Sequence, residues 1–140
     1  MSSSTTGATP PAVTVSNPPG VHAPASAYSH AALVAAGARR LIVSGQVGVA
    51  PDGTVSSDPG AQMDQVFANI GTVLAAHGMG PRDVAKIRVY LTDRSLIGPW
   101  RARRDAWFGG HAAAATLLIV AGLADPRFVV EVEAEAVASA

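Results

Sequence analysis

Cysteine is absent from the 140-residue chain, and its absence excludes several classes of site at once. Without thiols there is no disulfide scaffold, cysteine zinc site, iron–sulfur cluster or cysteine nucleophile. Histidines at positions 22, 30, 77 and 111 lack the His-x-His and i, i+4 spacings that are typical of metal ligands, so no metal site is predicted. No dinucleotide or Walker-type glycine pattern is present either, and no cofactor is expected.

Charge is also scarce, at 14% of the residues, and its signs balance. Ten Lys and Arg residues oppose ten Asp and Glu residues, which gives a formal net charge of zero. Lys86 is the only lysine. Because nucleic-acid binding normally relies on a basic excess on one face, the composition argues against DNA or RNA as a partner.

Long apolar runs and targeting signals are missing as well. The longest apolar stretch, residues 112–124, is too short to span a membrane. Residues 1–19 are rich in Ser, Thr, Ala and Pro, without the basic and apolar parts of a signal peptide. We therefore expect a cytoplasmic protein with no membrane partner, built as a flexible tail over residues 1–19 and a single domain over residues 20–140.

Apolar residues make up 49% of the chain, and their spacing predicts helices. Asp58 is a predicted N-cap and Pro59 suits a first helical position. Apolar residues then recur every three or four positions from Met63 to Leu74. A second helix is predicted from Ser95 to Phe108, ended by two glycines.

Alternating apolar residues predict strands between and after these helices. The resulting order, β-β-α-β-α-β-β, predicts an α+β fold in which two helices cover one face of a mixed sheet. The first two strands are expected to form a hairpin. The predicted strands are His30–Ala35, Arg40–Val49, Asp83–Thr92, Thr116–Val120 and Arg127–Val137.

The sheet face without helical cover should carry charged and polar side chains. A sheet face that has apolar neighbours and no helical cover usually packs against another subunit. The predicted residues of this face are Lys86, Arg88, Tyr90, Glu131, Glu133 and Glu135.

A series of short segments, in a fixed order, carries a resemblance to a known family. From about Pro18 to its end the chain resembles the RidA (YjgF) family of small trimeric proteins, also called L-PSP endoribonucleases. The resemblance implies a chorismate-mutase-like subunit and a homotrimer with a small-molecule ligand in each cleft between subunits. The segments are Tyr28–Ala31, Ser44–Gln46, Gln62 with Asn69, Val89–Asp93 and Val130–Ala134.

The resemblance also implies an activity, the hydrolysis of reactive enamines and imines to a keto acid and ammonia. Tyr28 would close the pocket and Glu131 would position or activate water, so both are catalytic candidates. From the residues alone, Tyr28 could equally be an aromatic core anchor. Glu131 could equally belong to an ion-pair ladder with Glu133 and Glu135.

Thr116 and the position of Ala115 are assigned to substrate binding by the same resemblance. Ser44 and Gly45 could offer a hydroxyl and amides to a ligand, or the glycine could instead let two backbone segments approach closely. Active family members hold the substrate carboxylate with an arginine at the position of Ala115, and a methyl group cannot form this pairing. The departure predicts altered or weakened specificity. Arg101 on the second helix is a candidate replacement, unless it belongs to a solvated face with Arg103 and Arg104.

Two classes of function follow from these residues. The first is a hydrolytic deaminase of reactive enamine or imine metabolites with altered specificity. The alternative is a non-catalytic trimeric protein that binds a small metabolite or a partner in the same clefts. Ribonuclease activity, to which an older name of the family refers, is disfavoured by the balanced charge and the single lysine.

Overall fold

The structure, a computed structural model, describes residues 10–140. Both helices pack against a sheet, so the predicted α+β class is confirmed. A short 3₁₀ turn over Pro81–Asp83 precedes the strand that begins at Val84. A second one, over Arg94–Leu96, precedes the helix that begins at Ile97. The elements are β1 (Val13–Ser16), β2 (Ala31–Val34), β3 (Arg39–Val47), α1 (Pro59–Ala75), β4 (Val84–Leu91), α2 (Ile97–Phe108), β5 (Ala114–Ile119) and β6 (Val130–Ala138).

The main sheet has four strands in the order β3-β6-β4-β5, and it is mixed. β6 runs antiparallel to both β3 and β4, whereas β4 and β5 are parallel. This is the sheet on which α1 and α2 lie, and the chorismate-mutase-like arrangement is confirmed in it. Among residues 10–140, no helix has the length and apolar character that crossing a membrane requires.

The predicted hairpin between the first two strands is wrong. β2 pairs with β1 in a separate two-stranded antiparallel sheet, and β3 pairs with β6 instead. Residues 13–16 read Val-Thr-Val-Ser, an alternation typical of a strand, although prolines on both sides favoured a tail. The end of the predicted tail is therefore ordered, and residues 1–9 of that tail lie outside the described residues.

Helix α1 begins as predicted, and one of its buried side chains joins it to the segments before α1 and before β6. The Asp58 carboxylate accepts a hydrogen bond from the Ala61 amide at 2.9 Å. Gln62 is 1% exposed, and its amide nitrogen donates to the carbonyls of Ser56 and Arg127, at 2.8 Å each. A side chain at Gly48 would lie 2.8 Å from the Gln62 Cα, so glycine is needed where β3 meets α1.

Helix α2 is joined to α1 by aromatic stacking. The Phe67 ring lies between the two tryptophans, 4.9 Å from the Trp100 centroid and 5.0 Å from that of Trp107. Such pairs add about 0.5–1.5 kcal/mol beyond the area they bury. Gly109 ends α2 in the left-handed conformation, with φ 57°.

The sheet face turned away from the helices is here called the open face. It carries the six predicted residues, because Lys86, Arg88 and Tyr90 of β4 stand opposite Glu135, Glu133 and Glu131 of β6. Two large apolar side chains also project there, Ile42 at 62% exposure and Leu118 at 50%. Several hydrophobic residues of the opposite face are buried under the helices, among them Ile87, Val89, Val132 and Ala134.

A candidate site between α2 and the edge of the sheet

The segment that carries Tyr28 is fixed to the start of β5 by the next residue. Ser29 is 4% exposed, and its hydroxyl donates to the Ala112 carbonyl at 2.6 Å. Its amide donates to the Ala113 carbonyl at 3.1 Å, and Ser29 forms an isolated parallel bridge with Ala114. These bonds place Tyr28 beside the first residues of β5.

A cavity of about 240 Å³ lies between this segment, α2, β4 and β5. We call it the α2 cavity. It brings together four of the predicted site residues, Tyr28, Arg101, Ala115 and Thr116. Its remaining lining residues, which the resemblance did not assign to the site, are Ser26, Ile87, Val89, Trp100, Arg104 and Leu117.

Strand register explains why Ala115 reaches this cavity. Ala115 and Leu117 stand opposite Ile87 and Val89 of β4, so they share the face on which α2 lies. Thr116 lies between them and turns its hydroxyl toward the open face. There the Lys86 ammonium donates to the Thr116 hydroxyl at 2.8 Å. Partial burial and the nearby Arg88 charge lower the pKa of Lys86, and Glu135 opposes this shift.

Two guanidinium groups line the α2 cavity, and they differ in burial. Arg101 lines the cavity and is exposed. Arg104, predicted to be solvated, is 6% exposed. Its Nε donates to Asp105 at 3.0 Å, and its Nη1 lies 3.4 Å from the Ser26 hydroxyl.

The other predicted site residues lie elsewhere in the subunit. Ser44, Gly45 and Glu131 are not among the lining residues of the α2 cavity. Gly45 and Glu131 are neighbours, because a Cβ at Gly45 would lie 2.0 Å from the Glu131 Oε2. Glycine therefore lets the Glu131 carboxylate lie against β3. The Glu131 carboxylate forms no hydrogen bond or ion pair with another of the residues 10–140, although its backbone is paired within the sheet.

No metal site accompanies either group of residues. In the described part of the chain, no cluster of three or more His, Cys, Asp or Glu side chains is placed to hold an ion. The His111 ring is bonded instead to the Val84 carbonyl, at 2.7 Å. The polar side chains that line the α2 cavity offer hydroxyl, phenol and guanidinium groups.

Comparison with known proteins decides the family. The family model described as Endoribonuclease L-PSP matches residues 20–138. The chain belongs to the L-PSP family, which includes the RidA and YjgF proteins. The match leaves out residues 1–19, among them β1, and the last two residues of the chain. No curated protein sequence matches the chain significantly.

Solved structures of the RidA family are similar over most of their length. A Rid-family protein of unknown function from Yersinia pestis is 31% identical, with a TM-score of 0.81, covering 89% of this chain and 98% of that one. RidA from an Antarctic Psychrobacter is 31% identical, with a TM-score of 0.67, covering 81% and 90%. A YjgF/YER057c/UK114 family member from Mycobacterium tuberculosis is 25% identical, with a TM-score of 0.63, covering 89% and 98%.

On the open face of this RidA-family subunit, Glu133 and Glu135 have partners of the kind expected for a structural ladder of carboxylates. Glu135 pairs with Arg40 at 2.5 Å and with Arg88 at 3.6 Å. Glu133 accepts a short hydrogen bond from the Tyr90 hydroxyl. Glu135 and Glu133 thus have local partners on this face, which leaves Glu131 as the carboxylate available for another role.

The contact between Tyr90 and Glu133 predicts that the Tyr90 hydroxyl titrates at a higher pH than a free tyrosine. The hydrogen bond, followed by burial and the carboxylate charge, raises the pKa of Tyr90 above its usual 10.0. The folded state therefore favours the neutral phenol, and this stabilisation is present below pH 10 and lost as the pH rises through the folded pKa. In Tyr28→Phe, where Tyr90 is the only tyrosine, ultraviolet absorbance should show a midpoint above 10.

The control for this titration is Glu133→Gln in the same background. It removes the charge and keeps the size of the side chain, so the Tyr90 midpoint should move back toward 10. An unchanged midpoint would contradict the assigned cause.

Proposed function

We propose that this RidA-family protein hydrolyses reactive enamines or imines to a carbonyl compound and ammonia. The observation that carries the proposal is the α2 cavity, in which Tyr28 and two guanidinium groups surround a space of about 240 Å³. A cavity of this size suits a small metabolite, because sites for drug-sized ligands occupy about 300–1,000 Å³. Family membership supports the same reaction.

The reaction needs a water molecule and proton transfers in a place that shields the imine. An enamine first takes a proton at carbon to give the imine. Water then adds to the C=N carbon as the base takes one of its protons, and the amine nitrogen takes a proton. The C–N bond breaks as the new hydroxyl loses its proton, which leaves a C=O group and ammonia. We assign the general base to Glu131, because its carboxylate has no partner among residues 10–140. Tyr28 would close the cavity over the substrate, and the guanidinium groups would bind its polar end, because the Thr116 hydroxyl faces the other side of the sheet.

Within one subunit Glu131 lies on the open face and not in the α2 cavity, so the proposal requires a second subunit. We propose a homotrimer in which the open face meets neighbouring subunits. Ile42 and Leu118, largely exposed in the single subunit, support an interface there. A cyclic trimer joins different surfaces of adjacent copies, so the cavity of one subunit can lie beside the Glu131 of the next.

A non-catalytic binding protein remains the second candidate. It is favoured by Ala115, which cannot bind a carboxylate as an arginine would, and by the absence of Glu131 from the lining of the α2 cavity. In this alternative the same clefts bind a small metabolite or a partner without turning it over.

The two candidates are separated by measuring ammonia release from imines that an amino-acid oxidase generates in situ. The deaminase should accelerate ammonia release for at least one amino acid, and light scattering should give about three times the subunit mass of 14.1 kDa. Thermal stabilisation by keto acids without any acceleration would favour the binding protein instead. A monomer at micromolar concentration would contradict the shared cleft.

A further inference from the structure

We propose that Arg104 binds the anionic group of the ligand, so that the α2 cavity takes a small carboxylate although position 115 is alanine. This inference rests on the proposed function in taking the α2 cavity as the substrate site. It differs from the sequence-based expectation in naming a buried residue of α2 in place of the exposed Arg101.

Arg104 lies on the buried side of α2. Trp100, Arg104 and Phe108 recur every four residues and are the buried residues of this helix. A charged side chain in a buried stripe costs free energy unless its hydrogen-bonding groups are used. An apolar side chain would be usual at this buried position of α2. The chain has Arg104 there instead, and Arg104 lines the cavity.

The hydrogen bonds of Arg104 leave one end of its guanidinium for a ligand. Asp105 takes one edge, with its Oδ1 at 3.0 Å from Nε and 2.9 Å from Nη2. At the other end, Nη1 has the Ser26 hydroxyl at 3.4 Å, which is long for a hydrogen bond. Asp105 therefore orients the guanidinium, and the Nη1 end is free to bind an oxygen atom more closely.

The charge balance of the cavity favours an anion. Arg101 is a second cation in the lining, and no ion pair of Arg101 is found among residues 10–140. None of the described lining residues is acidic, since Asp105 lies outside the lining and is more than half exposed. The walls formed by Ile87, Val89 and Trp100 exclude water on one side, which strengthens a charge-assisted bond.

The shape of the cavity selects a small planar anion. Ala115 is short, so the wall of β5 leaves room facing α2. A carboxylate can accept parallel hydrogen bonds from guanidinium nitrogens, whereas a neutral ketone of similar size offers only one acceptor. We therefore expect 2-oxo acids and the corresponding imino acids to bind in preference to neutral carbonyl compounds.

Binding of 2-oxobutyrate, measured by calorimetry, tests this assignment, with butanone as the neutral counterpart. Arg104→Gln should weaken 2-oxobutyrate binding at least about tenfold, the size expected for the loss of one charge-assisted hydrogen bond. Arg103→Gln is the matched control. Arg103 neighbours Arg104 in α2, pairs with Asp64 at 2.9 Å and does not line the cavity.

Three results would overturn the inference: equal affinity of Arg104→Gln and the wild type, an equal loss in Arg103→Gln, or equal binding of butanone and 2-oxobutyrate. A measurement on the unaltered protein guards against misfolding of the variant. The Arg104 Nε–H resonance should shift on addition of 2-oxobutyrate, and an unmoved resonance would also overturn the inference.

The inference and the proposed function fail in different ways. If 2-oxobutyrate binding depends on Arg104 but no imine is hydrolysed, the anion site stands and the deaminase proposal falls. If imines are hydrolysed equally well by Arg104→Gln and the wild type, the deaminase stands and the anion site falls.

Discussion

Glu131→Gln is expected to slow imine hydrolysis about a hundredfold or more, because positioned proton transfer typically contributes that much and an amide cannot act as a base. Folding should be preserved, since glutamine has nearly the same shape and the space over Gly45 remains available to it. Binding of 2-oxobutyrate should change little. The rate of ammonia release under saturating substrate, with calorimetry alongside, measures both effects.

Glu135→Gln is the matched control for this substitution. Glu135 is on the same face of β6 and is paired with Arg40 and Arg88. Its loss should affect stability by no more than about 1 kcal/mol, because partly exposed ion pairs contribute little, and should leave the rate nearly unchanged. A Glu131→Gln protein as active as Glu135→Gln would remove Glu131 from the mechanism.

Mixed trimers extend the same experiment to the location of the site. Glu131→Gln subunits keep an intact α2 cavity, and Arg104→Gln subunits keep an intact Glu131. In a random equal mixture, about one quarter of the interfaces in a cyclic trimer join two intact halves. Activity that returns on mixing the two impaired variants supports a shared site. If no activity returns although the subunits exchange, the two residues do not act across an interface.

Local sequence signals predicted the elements well where they were strong. Asp58 and Pro59 marked the start of α1, and the structure has the cap and the first helical residue in these places. The alternation in β4 and β6 likewise predicted which side chains share the open face. These features depend on near neighbours in the chain, and the sequence shows such neighbours directly.

Features that depend on distant pairing were harder to predict. The partner of β2 is β1, and nothing between Ala31 and Val34 indicates a partner in the preceding segment rather than the following one. The close approach of Gly45 to Glu131 likewise joins residues far apart in the chain. The pairing of β2 with β1 and that of β3 with β6 both belong to the tertiary arrangement, which local patterns do not specify.

The sequence contained a signal for the burial of Arg104, but a stronger signal favoured a solvated position. Its spacing of four residues from Trp100 and from Phe108 places it on the buried side of α2, while its charge and the neighbouring arginines favoured a solvated face. The cavity explains this conflict, because a buried cation beside a ligand site has a use for its remaining donors. A local rule broken at a functional position is a common pattern in proteins.

Moving the guanidinium from α2 to β5 is expected to restore carboxylate binding that Arg104→Gln has lost. In the double variant Arg104→Gln/Ala115→Arg, the new side chain starts on the β5 wall of the same cavity, and glutamine leaves space for it. Recovery of about ten- to a hundredfold in 2-oxobutyrate affinity corresponds to one charge-assisted pairing. Calorimetry on both variants and the wild type measures it.

Ala115→Arg alone should behave differently, and this makes the comparison decisive. With Arg104 in place, a third guanidinium would enter a cavity of about 240 Å³ that already has two in its lining, so repulsion should cancel the gain. Arg104→Gln/Ala115→Met controls for the added volume and should not recover affinity. If Ala115→Arg improves binding equally in both backgrounds, the two positions act independently and Arg104 is not the carboxylate-binding residue.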